Sequence, residues 1–136
     1  MNRLSFSEKQ GLFEVLAQVD QAGEDILVLL TGGRAHIGAV AIAQPRPSLR
    51  DPQQISSTGS VFTLLGHKED AVAKNMAEGL SAGLNRNVVV VAGIHWDKLA
   101  PDDIKILAGL CRRLGDRITA EISQGAGNRM ASAKKE

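Results

Sequence analysis

A chain of 136 residues, 43% apolar and 23% charged, is long enough for one domain with a real hydrophobic core and too short for two. Its 16 basic and 15 acidic side chains leave a formal charge of +1, so no global field favours a polyanion. The aromatic residues are Phe6, Phe13, Phe62 and Trp96. That is too few, and too far from basic clusters, for a single-strand nucleic-acid platform, and nucleic acid is set aside.

In chain order, "LFEVLAQVDQAG" puts Phe13, Val15, Ala17 and Val19 on one face of a period-two pattern, which predicts a half-buried strand. "EDILVLLTGG" predicts a second strand after a turn at Ala22-Gly23, and "RAHIGAVAIA" a third after Gly32-Gly33. Short links between these three favour an antiparallel meander. "SVFTLL" predicts a fourth strand after a long link. "KEDAVAKNMAEGLSAGLN" then spaces Val72, Met76, Leu80 and Leu84 as one helical face. Four valines, Val88 to Val91, read as a strand covered on both faces. A last helix over "PDDIKILAGLCRRLGDRITAEI" carries the stripe Ile104, Leu107, Cys111, Leu114, Ile118 and Ile122. The order β-β-β-β-α-β-α predicts an α+β fold: two layers, a mixed, mainly antiparallel sheet with two helices on one face. Residues 1–123 form the single domain and 124–136 a polar, mobile tail. The strand after the first helix is expected to run parallel to the strand before it. Apolar sheet surface left uncovered predicts a homodimer.

Four stretches could carry chemistry. On the third strand Ala35, Ile37, Ala39, Ala41 and Ala43 share one nearly all-alanine face, open to a packed helix or second subunit or to a flat ligand. The connection Gln44 to Ser60 holds Arg46, Arg50, Ser48 and further hydroxyls beside three of the four prolines, which suits a phosphate or a plain solvated loop. In "GHKED", Gly66, His67 and Lys68 precede a helix start where free amides attract anions, while Glu69 and Asp70 read as capping acids. The third histidine stands in "VVVVAGIHWD", where His95, Trp96 and Asp97 follow the valine strand. His36, His67 and His95 with Asp97, Asp70 and Glu69 could ligate a divalent metal, although no fixed ligand spacing marks one. The residues thus outline an anion-friendly pocket around Arg34, His36, Arg50, Lys68 and His95, with Trp96 as an aromatic wall. The lone Cys111, at helical spacing from Leu107 and Leu114, reads as a buried thiol. "MNRLSFSEKQ" lacks the apolar core of a signal peptide and no run reaches the length of a membrane span, so the expected compartment is the cytoplasm.

"GGRAHIGAVAIAQPRPSLRDP", "ISSTGSVFTLLGHKED" and "VVVVAGIHWDKL" together resemble the small D-subunit family of hydroxyarylic acid decarboxylases, the LpdD-type prenylated-flavin chaperones. The resemblance implies a partner system. A flavin prenyltransferase builds reduced prenylated FMN, and a UbiD-type enzyme uses the oxidised form on aromatic acids. The small subunit would hold, mature by oxidation, or deliver the cofactor between the two, and is not itself the decarboxylase. Plain FMN would be a weaker analogue. The positions carried over are Arg34, His36, Ser48, Gly66, His67, Lys68, Asp70 and His95, with Arg50 and Trp96 added from the residue reading. His36 and His95 would move protons; the others would hold the cofactor. Two alternatives stay open: a structural or regulatory subunit of the decarboxylase without a ligand, and a small metal-dependent enzyme.

Overall fold

The structure, a computed structural model, describes residues 3–64 and 69–135, with side chains as far as residue 125. Six strands and two helices follow in the order β1 (Leu4–Gln10), β2 (Phe13–Ala22), β3 (Asp25–Gly33), β4 (Ala39–Pro47), β5 (Ile55–Thr63), α1 (Asp70–Leu84), β6 (Val88–His95) and α2 (Pro101–Lys135). They form one mixed sheet, ordered β1-β2-β3-β6-β4-β5, with both helices packed on it: α1 on β4, β5 and β6, α2 on β1 and β2. The α+β class is as expected. The wiring differs in five places.

A strand precedes the expected first one. In β1, Leu4 and Phe6 turn inward between Ser5 and Ser7, too short an alternation to stand out locally. Its anchors are distant in sequence. Arg113 and Arg117 of α2 grip Glu8 at 3.0 and 3.1 Å, and the Arg117 guanidinium lies over the Phe6 ring.

The meander is interrupted. β6 inserts between β3 and β4, parallel to β3 and antiparallel to β4. It therefore runs in the same direction as β5, as expected, but with β4 between them. Because β6 fills the gap, residues 34–38 are not strand; they form a link passing over the end of β6.

The long link between the third and fourth strands is mostly sheet. β4 runs to Pro47 and β5 starts at Ile55, paired from Ala39↔Thr63 to Pro47↔Ile55. Pairing of β4 with β6 stops at Ala43. Beyond it one side of β4 has no ladder to lose, which is where Pro45 and Pro47 are tolerated.

Finally, α2 does not stop at Ile122 but continues to Lys135, through the segment expected as a tail. That stretch holds no proline and is rich in alanine and lysine, which favour helix.

The core lies between sheet and helices. Val15, Val28, Leu30, Val88, Val90, Leu110, Leu114 and Ile118 are fully buried. The alanine face of β4 is buried too, under Ala73 and Ala77 of α1, so small side chains on both partners let the helix lie close to the sheet. Ser57 on β5 donates to the Glu78 carbonyl of α1 at 2.7 Å and ties strand to helix. A helix, not a flat ligand, occupies the alanine face.

Among the described residues no layer covers the opposite sheet face. Register aligns Leu29, Val91, Val40 and Phe62 across β3, β6, β4 and β5, with Leu27, Val89 and Ile42 in the next row. Ile42 remains 56% exposed and Phe62 71%.

Candidate functional site

The sequence Val88-Val89-Val90-Val91-Ala92-Gly93 ends where the 34–38 link crosses β6. A Cβ on Gly93 would run into the backbone carbonyl of His36, so only glycine lets the link pass. Gly38, at the far side of the link, donates its amide to the Ala92 carbonyl at 2.9 Å. His36 is thereby bolted over the end of the sheet.

Its ring is held as firmly. His36 Nδ1 lies 3.0 Å from the Arg34 carbonyl, and Nε2 lies 2.8 Å from Glu69 Oε1. The Glu69 carboxyl fills the space a Cβ on Gly38 would need. Glu69 is the residue the sequence reading mistook. Expected as a capping acid, it places no side-chain cap on α1 and turns inward, 7% exposed. Its Oε2 is buried and has no hydrogen-bond partner among the described residues. The signal in the sequence was indirect: a glycine at position 38 with room made for a side chain from elsewhere.

His95 ends β6 opposite Gly33 of β3, and its carbonyl accepts the Arg34 amide at 3.0 Å. Its Nε2 lies 3.0 Å from Asp97 Oδ1, which is also 3.7 Å from the Arg34 guanidinium. The two imidazoles meet edge to face, 6.1 Å between centroids. Trp96 turns the other way. Its indole lies on Gly32 and Gly33 and meets the Phe13 ring edge-on at 5.2 Å, half-buried against the core. Arg34, His36, Glu69, His95 and Asp97 thus form one cluster of two imidazole–carboxylate pairs and an exposed guanidinium.

The remaining expected residues are not gathered there. Ser48 and Arg50 sit at the tip of the β4–β5 hairpin, where Ser48 Oγ accepts the Arg50 amide at 3.2 Å. Eight residues of β4 separate that tip from Ala39 at the histidine end, about 26 Å of strand. The hairpin tip therefore lies at the opposite end of β4 from the histidine cluster. Arg46 is engaged, donating to Thr58 Oγ1 at 2.7 Å and to the Pro47 carbonyl. Gly66, His67 and Lys68 lie outside the described residues; their flanking residues Leu64 and Glu69 contact Gly38 and His36. Asp70 opens α1, exposed. Among the described residues no group of three or more His, Cys, Asp or Glu is placed to hold a metal ion. Cys111 is buried, and burial pushes its thiol up to about 12, which suits the inert thiol expected.

The span containing this cluster, residues 9–123, matches the family model of the prenylated flavin chaperone LpdD-like domain. The chain belongs to the LpdD-like prenylated flavin chaperone family. Membership supports a chaperone role toward prenylated flavin and agrees with the resemblance in the three sequence stretches. The fold is also similar to a chain in the crystal structure of a novel chaperone complex for yeast 20S proteasome assembly. The TM-score is 0.53 at 18% identity, covering 89% of this chain and 98% of that one. At such identity the likeness concerns the fold. No curated relative matches the sequence. No helix among the described residues is long and apolar enough to cross a membrane.

Proposed function

We propose that this protein binds prenylated FMN at the His95 end of the sheet and carries it from a flavin prenyltransferase to a UbiD-type aromatic-acid decarboxylase in the cytoplasm. The observation that carries this reading is the cluster of Arg34, His36–Glu69 and His95–Asp97, rigidly seated at the end of the central strand inside the family-matched span. Its donor set fits a flavin. A guanidinium 71% exposed and a half-open imidazole offer partners for the polar edge of the ring. The start of α1, beyond Gly66-His67-Lys68, remains as the seat for the phosphate. When bound, the cofactor supplies the redox chemistry; the protein's part is to hold it, orient it and keep proton positions fixed around it. His36 and His95 are the groups through which protons would move during oxidation of the reduced cofactor.

Assembly follows from the open sheet face. Six strands about 4.8 Å apart and about 25 Å long span on the order of 700 Å2, near the ~800 Å2 that each partner contributes to a standard interface. The centre of the face is apolar and uncharged, so it matches itself under a two-fold rotation. The protein is a homodimer through this face.

Co-production with a flavin prenyltransferase tests the cofactor reading. The purified protein should carry the prenylated-flavin chromophore and pass it to apo-decarboxylase, raising decarboxylation. A folded sample that takes up no cofactor would leave the structural-subunit reading, which the same apolar face favours. Sedimentation should give about twice 14.4 kDa, and Leu29→Asp should return the single-chain mass. A wild-type protein already at the single-chain mass rules out the dimer.

A further inference from the structure

The histidine cluster and the open sheet face are parts of one surface. Along β6, Val88, Val90 and Ala92 point to the helices, so Val89, Val91, Gly93 and His95 point to the uncovered side. Gly93 shows the same. The direction of its missing Cβ meets the His36 backbone, so the 34–38 link crosses β6 on that side. The His36 ring, 6.1 Å from the His95 ring between centroids, lies there too. Trp96, one residue on, returns to the helix side, where it meets Phe13. The next outward-facing row below Thr31 and Gly93 is Leu29, Val91 and Val40, which is wholly apolar.

Polar groups are thus in place, but walls are not. Arg34 and Asp97 are 71% and 75% exposed, and His95 42%. A small-molecule site ordinarily covers about 70–90% of what it holds. Two cavities, of about 320 and 400 Å3, lie elsewhere, between α1 and α2 and beside Arg86, and no cluster residue lines either. A flat ring laid on this end of the sheet has a floor and, among the described residues, no roof.

We infer that the site is completed by a second copy of this chain, so that the flavin is enclosed at the rim of the dimer interface. This rests on the readings that a flavin binds at the His95 end and that the open face forms the dimer. One copy supplies the floor and the polar groups, and the open face of the other supplies the roof. Either direction of a two-fold axis lying in the interface brings an apolar roof. The Leu29–Val91–Val40 row and the Leu27–Val89–Ile42 row at the far end are both uncharged. Binding and assembly are then linked: a ligand enclosed only by paired chains tightens the pair, and dilution to single chains releases it.

Sedimentation of the wild-type chain over a range of concentrations, with and without reduced prenylated FMN under anaerobic conditions, tests the link. If the single chain binds about tenfold more weakly, two occupied sites should lower the dimer midpoint about a hundredfold. Leu27→Asp gives a second reading. Leu27 lies six residues before Gly33, the neighbour of His95, about 20 Å along β3 and out of reach of a ligand held by its own chain. Folded, single-chain Leu27→Asp should bind the cofactor at least about tenfold more weakly than the dimer. Leu27→Ala, the gentler change, should regain wild-type affinity once concentration restores the dimer. Wild-type affinity in single-chain Leu27→Asp overturns the inference and leaves the flavin and dimer readings standing. So does a dimer midpoint unmoved by cofactor, which decides the matter if Leu27→Asp does not fold. A wild type that binds cofactor as a single chain at every concentration removes the dimer and this inference together. A folded dimer that takes up no cofactor overturns the flavin reading first, and this one with it.

Discussion

Leu29 and Leu30 are adjacent on β3, yet Leu30 is fully buried under the helices and Leu29 is 37% exposed on the open face. The same contrast repeats along β6, where Val88 and Val90 are buried and Val89 and Val91 are only half-buried. A strand with one covered face normally alternates apolar with polar; β3 and β6 are apolar on both. One face is explained by the fold. The other calls for a covering that the described residues do not supply, and hydrophobicity alone cannot separate what folds a domain from what joins it to something else.

The two faces should therefore respond differently to the same change. Leu30→Ala removes a fully buried side chain and should cost about 2–5 kcal/mol by urea unfolding. Gly93→Ala, at the end of the open-face row, forces a methyl against the His36 backbone and should cost about 3 kcal/mol. Its loss should appear together with displaced His36 resonances. Glu69→Ala leaves His36 Nε2 without this partner and should cost about 1–3 kcal/mol, most of it restored by Glu69→Gln, whose amide can hydrogen-bond that nitrogen. On the covered face, Cys111 adds a pH response. Its thiol is raised from 9.0 to about 12 by burial, so the folded state favours the protonated form. That contribution is complete below pH 9 and is lost as pH climbs toward 12. Thermal melts should fall over that window and Cys111→Ala should flatten the decline. Leu29→Ala should be mildest, changing unfolding of the single chain by less than ~1 kcal/mol while loosening self-association. If Leu29→Ala and Leu30→Ala cost the same in a single-chain sample, the distinction between the faces fails.

What the sequence disclosed follows the range of the forces involved. Helix α1 and strands β2 and β3 were legible because their apolar periods are local. β1 was not, since Glu8 and Phe6 meet their partners Arg113 and Arg117 more than 100 positions away. Prolines at 45 and 47 read as loop because their tolerance depends on β6 ending its pairing at Ala43, a fact of topology. In the site, Arg34, His36 and His95 were found by type and by their nearness to strand ends, and the structure brings them together. Ser48 and Arg50 looked equally suitable in the sequence. They lie at the other end of β4, because a segment that resembled a flexible link is rigid strand. Glu69 was misread because its role depends on an empty position at Gly38, and a missing side chain marks a site only once the neighbour that fills it is known.

The placement of β6 also sets a schedule for the growing chain. β3 emerges more than fifty residues before β6, and neither β3 nor β4 has its inner neighbour until Val88–His95 is synthesised. Until then the nascent protein is two separate pieces, a β1–β2–β3 meander and a β4–β5 hairpin followed by α1, with the 34–38 link already strung between them. β6 must enter beneath that link and zip to both sides at once. A late strand pairing over such a span is slow to find its place. Stalling synthesis before residue 88 should hold the protein open and protease-sensitive, and releasing it past residue 95 should bring protection to β3 and β4 together.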